Sequence, residues 1–515
     1  MLRSCERAGG AGKSASIVRV QATSTSRWRR RSALRSGILT GLAQVVVAFA
    51  AAGAGALLAH KFGRSAETDG FLAAYAVYLL LVLVAQSFRM VVVPELTRAA
   101  GQGTLAGETR AFALSFLVVA LPVSVLVAVF SSRLGELITG SLPASSAHIA
   151  ARALVVLVPA AFVQLLAALA ASALAALDSY GTAAFGFALG GLAGLVVFAV
   201  LANEHGIVAL GWGLGVNAAC AFTVPVVALA RRGALSGPWP GQLAVGARLW
   251  RLIEGAAVPL SIQACYLLAL RFAAYLGVGR VTSFSYAYLV ASTLVGSTAF
   301  SLGLISSAPL TRRGIDAVAA GRHVVNAAWV SLTLVGAAAG VFALVGGRIM
   351  GFLLGSAYGG AVGRQLGHLV VYLAPWMVGW VGFAVSYPLV FVAGRQRALL
   401  PLAAAGFLLC IPLGLALRAA VGLEGIALAI GFATLLITAG LLWMLSPRTL
   451  AIAARGLVQL GLAVGAATAL AFGAVSLALP AVPAAFVGVL LYAAMIYAMR
   501  SLGLSEAWSY VRGLQ

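Results

Sequence analysis

The chain has 515 residues, 62% of them hydrophobic and 9% charged, with a mean hydropathy of +1.05. Soluble domains are roughly 45–50% apolar and 25% charged, so a soluble globular fold is excluded and a polytopic membrane protein is expected. The formal charge of +22 does not indicate a nucleic-acid binder, because Lys and Arg lie mostly between apolar runs rather than on one ordered face.

Residues 1–36 are rich in Ser and Arg and end in RWRRRSALRS (27–36). The apolar run that follows is about 22 residues, longer than the 7–15 of a signal-peptide core, and further runs follow it, so the tail is expected to be a disordered basic extension. Spans are expected at 38–59, 71–93, 111–131, 153–177, 181–202, 206–230, 253–277, 283–308, 324–346, 367–393, 398–417, 425–445, 456–478 and 481–499. Each of these fourteen is near the ~20 residues that cross ~30 Å of hydrocarbon. The boundaries least marked by the sequence are at DSYG (178–181) and LPAVP (479–483). With both termini cytoplasmic, inside segments hold 25 Lys and Arg and outside segments 8, which is the orientation that positive-inside bias selects.

A repeat organises these spans. PELTR (94–98) returns as PLTR (309–312), and the same 214-residue offset brings Gly63 onto Gly277. Six spans separate the copies, an even number, so the repeat is parallel and its axis is expected along the membrane normal. The resulting all-α fold has two six-helix lobes, 37–232 and 248–447, then two appended helices in 451–500 and a cytoplasmic tail, 501–515. A cleft between such lobes is the natural place for a substrate. Cys5, Cys220, Cys265 and Cys410 lie far apart with no CxxC spacing, which suggests neither a disulfide framework nor a metal site.

FGRSAETDGF (62–71), VVVPELTRA (91–99), LRFAAYLGVGRVTSFSYAYLV (270–290) and PLVFVAGRQRALLP (388–401), with the count of fourteen spans, resemble MurJ/MviN-type lipid II flippases. These form part of the multidrug/oligosaccharidyl-lipid/polysaccharide exporter superfamily. Asp69 and Arg271 match charged positions of that family. Its charges in the first helix, its arginine pair in the second and its Asp-Arg in the eighth are absent here: the first span is uncharged, and YLLLVLVAQ (78–86) and YAYLV (286–290) replace the other two. The resemblance implies a flippase-like transporter of the bacterial inner membrane. It would move an undecaprenyl-linked saccharide, lipid II or a related cell-envelope precursor, by alternating access, with the last two helices lining a groove for the lipid tail. Its partners would be the polyprenyl-pyrophosphate-linked glycan, membrane lipids, a coupling ion or membrane potential, and cell-envelope synthesis proteins. Alternatives are a polysaccharide or multidrug exporter of the same superfamily, or a non-transporting scaffold of a cell-envelope synthesis complex.

Charges inside hydrocarbon cost about 2.5–3.5 kcal/mol on insertion scales, which makes them functional candidates. Arg271 is the clearest, suited to bidentate contact with phosphate or carboxylate, although a guanidinium there can also snorkel to the surface. Arg89, Gln263 and Trp376 complete the expected substrate-binding set. Interhelical hydrogen bonding is the alternative for Gln263, and packing for Trp376 and its helix-face neighbours Trp380 and Tyr387. Asp69, Glu67, Lys61 and Arg64 are expected to form an outer gate closed by ion pairs, with Asp69 equally able to cap its own helix. Glu254, facing Arg89, is the expected inner counterpart. There is no HExxH, P-loop or nucleophile elbow, so no enzyme, cofactor or metal site is expected.

Overall fold

The computed structural model describes residues 42–85, 91–237, 243–295 and 317–499, apart from the side chains of Val330 and Val392. Among the described residues there is no β-strand. In chain order the helices are α1 (Leu42–Phe62), α2 (Ala66–Leu83), α3 (Val93–Gly101), α4 (Leu105–Val129), α5 (Ser131–Thr139), α6 (Ala144–Ala176), α7 (Tyr180–Leu201), α8 (Gly206–Arg231) and α9 (Val245–Ala274). They continue as α10 (280–295), α11 (Ala317–Leu354), α12 (Gly360–Tyr372), α13 (Ala374–Val392), α14 (Gln396–Val421), α15 (Leu423–Leu445), α16 (Pro447–Ala478) and α17 (Ala481–Ala498). Thirteen of these, all but α3, α5, α10 and α12, are long and apolar enough to cross a membrane. Helix α10 is the described part of the expected eighth span. The bundle end carrying the tight α1–α2 hairpin is termed the hairpin end, and the opposite one the far end.

The parallel repeat is visible in where helices start and what they touch. Starts at Ala66, Leu105, Ala144, Tyr180 and Gly206 recur at 280, Ala317, Gly360, Gln396 and Leu423, each within three residues of the 214-residue offset. In the N-lobe, α2 packs on α6, α4 on α6, α6 on α8, and α7 on α8. Gly53 of α1 meets Leu195 of α7. In the C-lobe the equivalent pairs are α10 with α13, through Tyr288 and Trp376, then α11 with α13, α13 with α15, α14 with α15, and α9 with α14. The lobes meet along α9 against α2 and α4, and along α1 against α10. Helices α16 and α17 pack on α11.

Two boundaries differ from expectation, each for a backbone reason, and a third falls where expected. The expected span 367–393 is divided at Leu373, because Pro375 in the first turn of α13 lacks the N–H that would continue α12. The PELTR echo is itself helical: Pro94 stands in the first turn of α3, directly after the π-helical Val91 and Val92, and its PLTR counterpart lies outside the described residues. The short DSYG connection falls where expected: Asp178 adopts φ 56°, a left-handed conformation that Asp tolerates, and reverses the chain between α6 and α7.

Small residues set the spacing at the hairpin end. A side chain at Gly70 would overlap the Ser146 backbone, so α2 and α6 approach to backbone contact there, and the Ser146 hydroxyl donates to the Ala66 carbonyl at 2.6 Å. Asp69, one residue before Gly70, is thereby held at a fixed height against the second lobe.

Candidate functional site

Asp69 belongs to the N-lobe but caps a helix of the C-lobe. Its carboxylate is fully buried and accepts from the backbone N–H groups of Gly279 and Thr282, the latter at 2.8 Å, and from the Thr282 hydroxyl. These donors lie at the N-terminus of α10, Gly279 just before its first residue and Thr282 in its first turn, where backbone N–H groups have no partner within the helix. The repeat explains why an outside group is needed. In the first copy, Ser65 caps α2 by accepting from Thr68 N–H at 3.2 Å. At the same offset Thr68 becomes Thr282, whereas Ser65 becomes Gly279, which has no side chain to offer. The carboxylate of the opposite lobe takes the missing hydroxyl's place.

Other bonds reinforce this seal. The Arg64 guanidinium donates to the Gly279 carbonyl at 3.0 and 3.3 Å, and burial together with neighbouring Arg280 lowers its pKa from the ordinary arginine value. Gly279 has φ +81°, and a side chain there would crowd Arg64. Tyr358 donates to the Gly63 carbonyl at 3.0 Å and Tyr286 to the Gly55 carbonyl at 3.2 Å, their rings edge to face at 5.3 Å. Closure is therefore made by hydrogen bonds to backbone, where ion pairs among four charges were expected. Lys61 donates to Asn203 within its own lobe, and Glu67 is exposed.

The far end is closed by charge. Glu108 of α4 pairs with Arg248 of α9 at 2.6 Å, and Glu95 of α3 pairs with Arg251 of α9 at 2.6 Å. Both pairs span the lobes, and Arg248 also lies over the Phe112 ring at 5.1 Å. Glu254, expected as the acidic partner here, accepts instead from the Trp250 indole at 2.8 Å, one turn away on the same helix. Arg89 lies outside the described residues. Glu95 sits inside the PELTR echo, so that motif contributes an interlobe ion pair that its sequence alone did not reveal.

These pairs lead to one prediction. Arg248 has 12% and Glu108 36% of its side chain exposed, so solvent screening limits the pair to about 1 kcal/mol. Glu108→Arg is expected to shift spin-label distances between positions 102 and 247 toward longer values, and combining it with Arg248→Glu to restore them. Single and double reversals that behave alike would remove this pair from far-end closure.

Between the seals lies an aromatic ladder. Tyr266 stacks on Tyr288 at 3.9 Å, Tyr288 meets Trp376 at 4.7 Å, and Trp376 stacks on Trp380 at 5.4 Å. The series continues along α13 through Phe383 and Tyr387 to Phe391. Trp376 is 1% exposed, and Gln263 accepts from the Tyr288 hydroxyl at 3.3 Å while its amide nitrogen is buried without a partner. Two of the expected substrate residues thus meet through Tyr288. Arg271 lies two turns from Gln263 along α9, in the helix's last turn, against Tyr275.

No protein-family model matches the sequence, and no curated protein matches it. Solved structures do. The lipid II flippase MurJ in an inward closed conformation aligns with TM-score 0.71 at 14% identity over 91% of this chain and 99% of its own. An inward-facing multidrug resistance MATE family transporter of the MOP superfamily aligns with TM-score 0.64 at 13% identity, covering 79% of this chain and 95% of its own. The eukaryotic MATE transporter AtDTX14 aligns with TM-score 0.59 at 16% identity, covering 83% of this chain and all of its own. The chain is thus an all-helical, multi-pass membrane protein with the fold shared by the MurJ flippase and the MATE transporters of the MOP superfamily.

Proposed function

We propose that this chain is an alternating-access transporter that moves a polyprenyl-linked saccharide across the bacterial inner membrane. The observation that carries the reading is the pair of interlobe seals. One end closes through a carboxylate capping the opposite lobe's helix, the other through two ion pairs, and each can break without disturbing the packing inside either lobe. A rocking mechanism requires an interface with two discrete arrangements, and seals of this kind support one. The lipid-linked substrate is favoured over a drug because the MurJ flippase structure matches 91% of this chain, against 79% and 83% for the two MATE transporters.

In this reading both termini are cytoplasmic and the hairpin end faces outward, as the distribution of Lys and Arg supports. With the hairpin end closed, substrate enters from the far end after the Glu95–Arg251 and Glu108–Arg248 pairs separate. Closing them releases Asp69 from α10 and opens the outward path. Energy comes from an ion gradient, the membrane potential or the substrate's own gradient.

The test is expression in a bacterial strain depleted of its lipid II flippase. Growth that is lost with Asp69→Ala supports the proposal. Failure to grow, combined with restored drug tolerance in a strain lacking its multidrug exporters, transfers the substrate to the drug class. Growth unaffected by Asp69→Ala points to the scaffold alternative.

A further inference from the structure

Two arginines at the hairpin end share one aromatic ring and have no acidic partner among the described residues. Arg271, in the last turn of α9, places its guanidinium carbon 5.2 Å from the centre of the Tyr275 ring. Arg418, in the last turn of α14, lies 5.2 Å from the same centre and 5.7 Å from that of Phe272. The two cations are therefore at most about 10 Å apart, where they repel. Among the described residues neither makes an ion pair or a side-chain hydrogen bond. Arg271 Nη1 is moreover buried without a partner, pressed onto Gly140 in the loop between α5 and α6, where φ is +67° and a side chain would overlap it.

Helix C-termini favour nearby cations, which accounts for one arginine at each helix end. It does not account for two guanidinium forks gathered on one ring with their N–H groups unspent. Tyr275 is 51% exposed, so the pair is reached from outside the bundle. It sits on the seam formed by α5, α9 and α14, and makes no contact with Asp69 itself.

We propose that Arg271, Arg418 and Tyr275 form a binding site for a phosphate group, either the headgroup of a membrane lipid or a free diphosphate. Phosphate offers the charge to offset two cations and the several acceptor oxygens to engage two forks at once, which a single carboxylate does less well. Gly140 belongs to the N-lobe, so moving the lobes apart at the hairpin end frees Nη1 and adds a donor. Phosphate bound there consequently favours the hairpin-open state. The site stands whether or not the chain transports, because binding is measured directly.

The test uses the full-length purified protein. One arm titrates inorganic pyrophosphate into the detergent-solubilised protein by calorimetry. The other counts retained phosphatidylglycerol by native mass spectrometry after release from phosphatidylcholine nanodiscs containing a minor share of it. Arg271→Gln and Arg418→Gln are each expected to weaken binding about tenfold, and Arg133→Gln, an exposed arginine of α5 at the same end, to leave it unchanged. Binding of pyrophosphate alone identifies a free phosphate ligand, and lipid retention alone a headgroup. Wild-type and single-variant proteins that do not differ in either arm, or an equal loss with Arg133→Gln, overturn the proposal. Unfolding temperatures of the variants separate lost binding from lost fold.

Discussion

Asp69→Ala opens the hairpin end. The substitution removes the acceptor for two backbone N–H groups and one hydroxyl of α10, all in a buried place where water does not readily replace it. Hydrogen bonds to a charged acceptor contribute about 1.5–3 kcal/mol each, and removing one partner leaves the others unsatisfied. Burying the carboxylate itself has a cost that offsets part of this. A net loss of about 3 kcal/mol is expected, roughly a hundredfold shift in the closed-to-open ratio. Because the bonds join two lobes, the loss falls on closure and not on the folding of either lobe. Spin labels at Glu67 and Ala361, both exposed and on opposite lobes, are expected to gain a longer-distance population. Asp69→Asn keeps one oxygen to accept from Thr282 but presents an N–H₂ toward Gly279, so it is expected to lie between wild type and Ala. Unchanged distances in the Ala variant, measured on folded protein, would show that Arg64, Tyr286 and Tyr358 hold the seal unaided.

Trp376→Ala is expected to lower stability more than any other single truncation in the ladder. The indole is 1% exposed and joins three helices, stacking on Trp380 of its own α13 and meeting Tyr288 of α10, which in turn stacks on Tyr266 of α9. Phe or Trp to Ala in a packed core costs about 3–5 kcal/mol, part of it from the cavity left behind. In a membrane the unfolded reference is also apolar, so the loss is chiefly of contact and packing rather than hydration. Thermal unfolding in detergent is expected to show a marked drop for Ala and roughly half that for Trp376→Phe, which retains a ring. A normal unfolding temperature with transport abolished would place the indole in the substrate path instead.

The two cases differ in how far they were legible beforehand. The sequence marks Asp69 as a charge at a helix start and Trp376 as one of three aromatics on one helical face, because helical periodicity and terminal position are local properties. Neither residue's partner is local. Asp69 bonds to groups 210 and 213 positions away, and the reason it does so, Gly279 standing where Ser65 stands in the first copy, emerges only when the copies are superposed. The far-end pairs were missed for the same reason. Glu95 and Glu108 are ordinary acidic residues in short connecting or first-turn segments, and nothing near them in the chain names Arg251 and Arg248. Cys265 and Cys410 are likewise 145 positions apart and read as unrelated, yet both are buried on the packed helix pair α9 and α14.

The sequence by itself determined the membrane class, the spans and the parallel repeat. Each follows from composition, from apolar run length and from spacing along one chain, and lipid leaves a helix as the only way for such a run to satisfy its backbone. Tertiary structure alone decided which charges meet across the lobes, that the hairpin end closes on backbone groups, and which arginines remain unpaired. Those outcomes depend on relative helix height and rotation, which packing at Gly70, Gly140 and Gly279 sets to within a side chain's width and which no local pattern encodes.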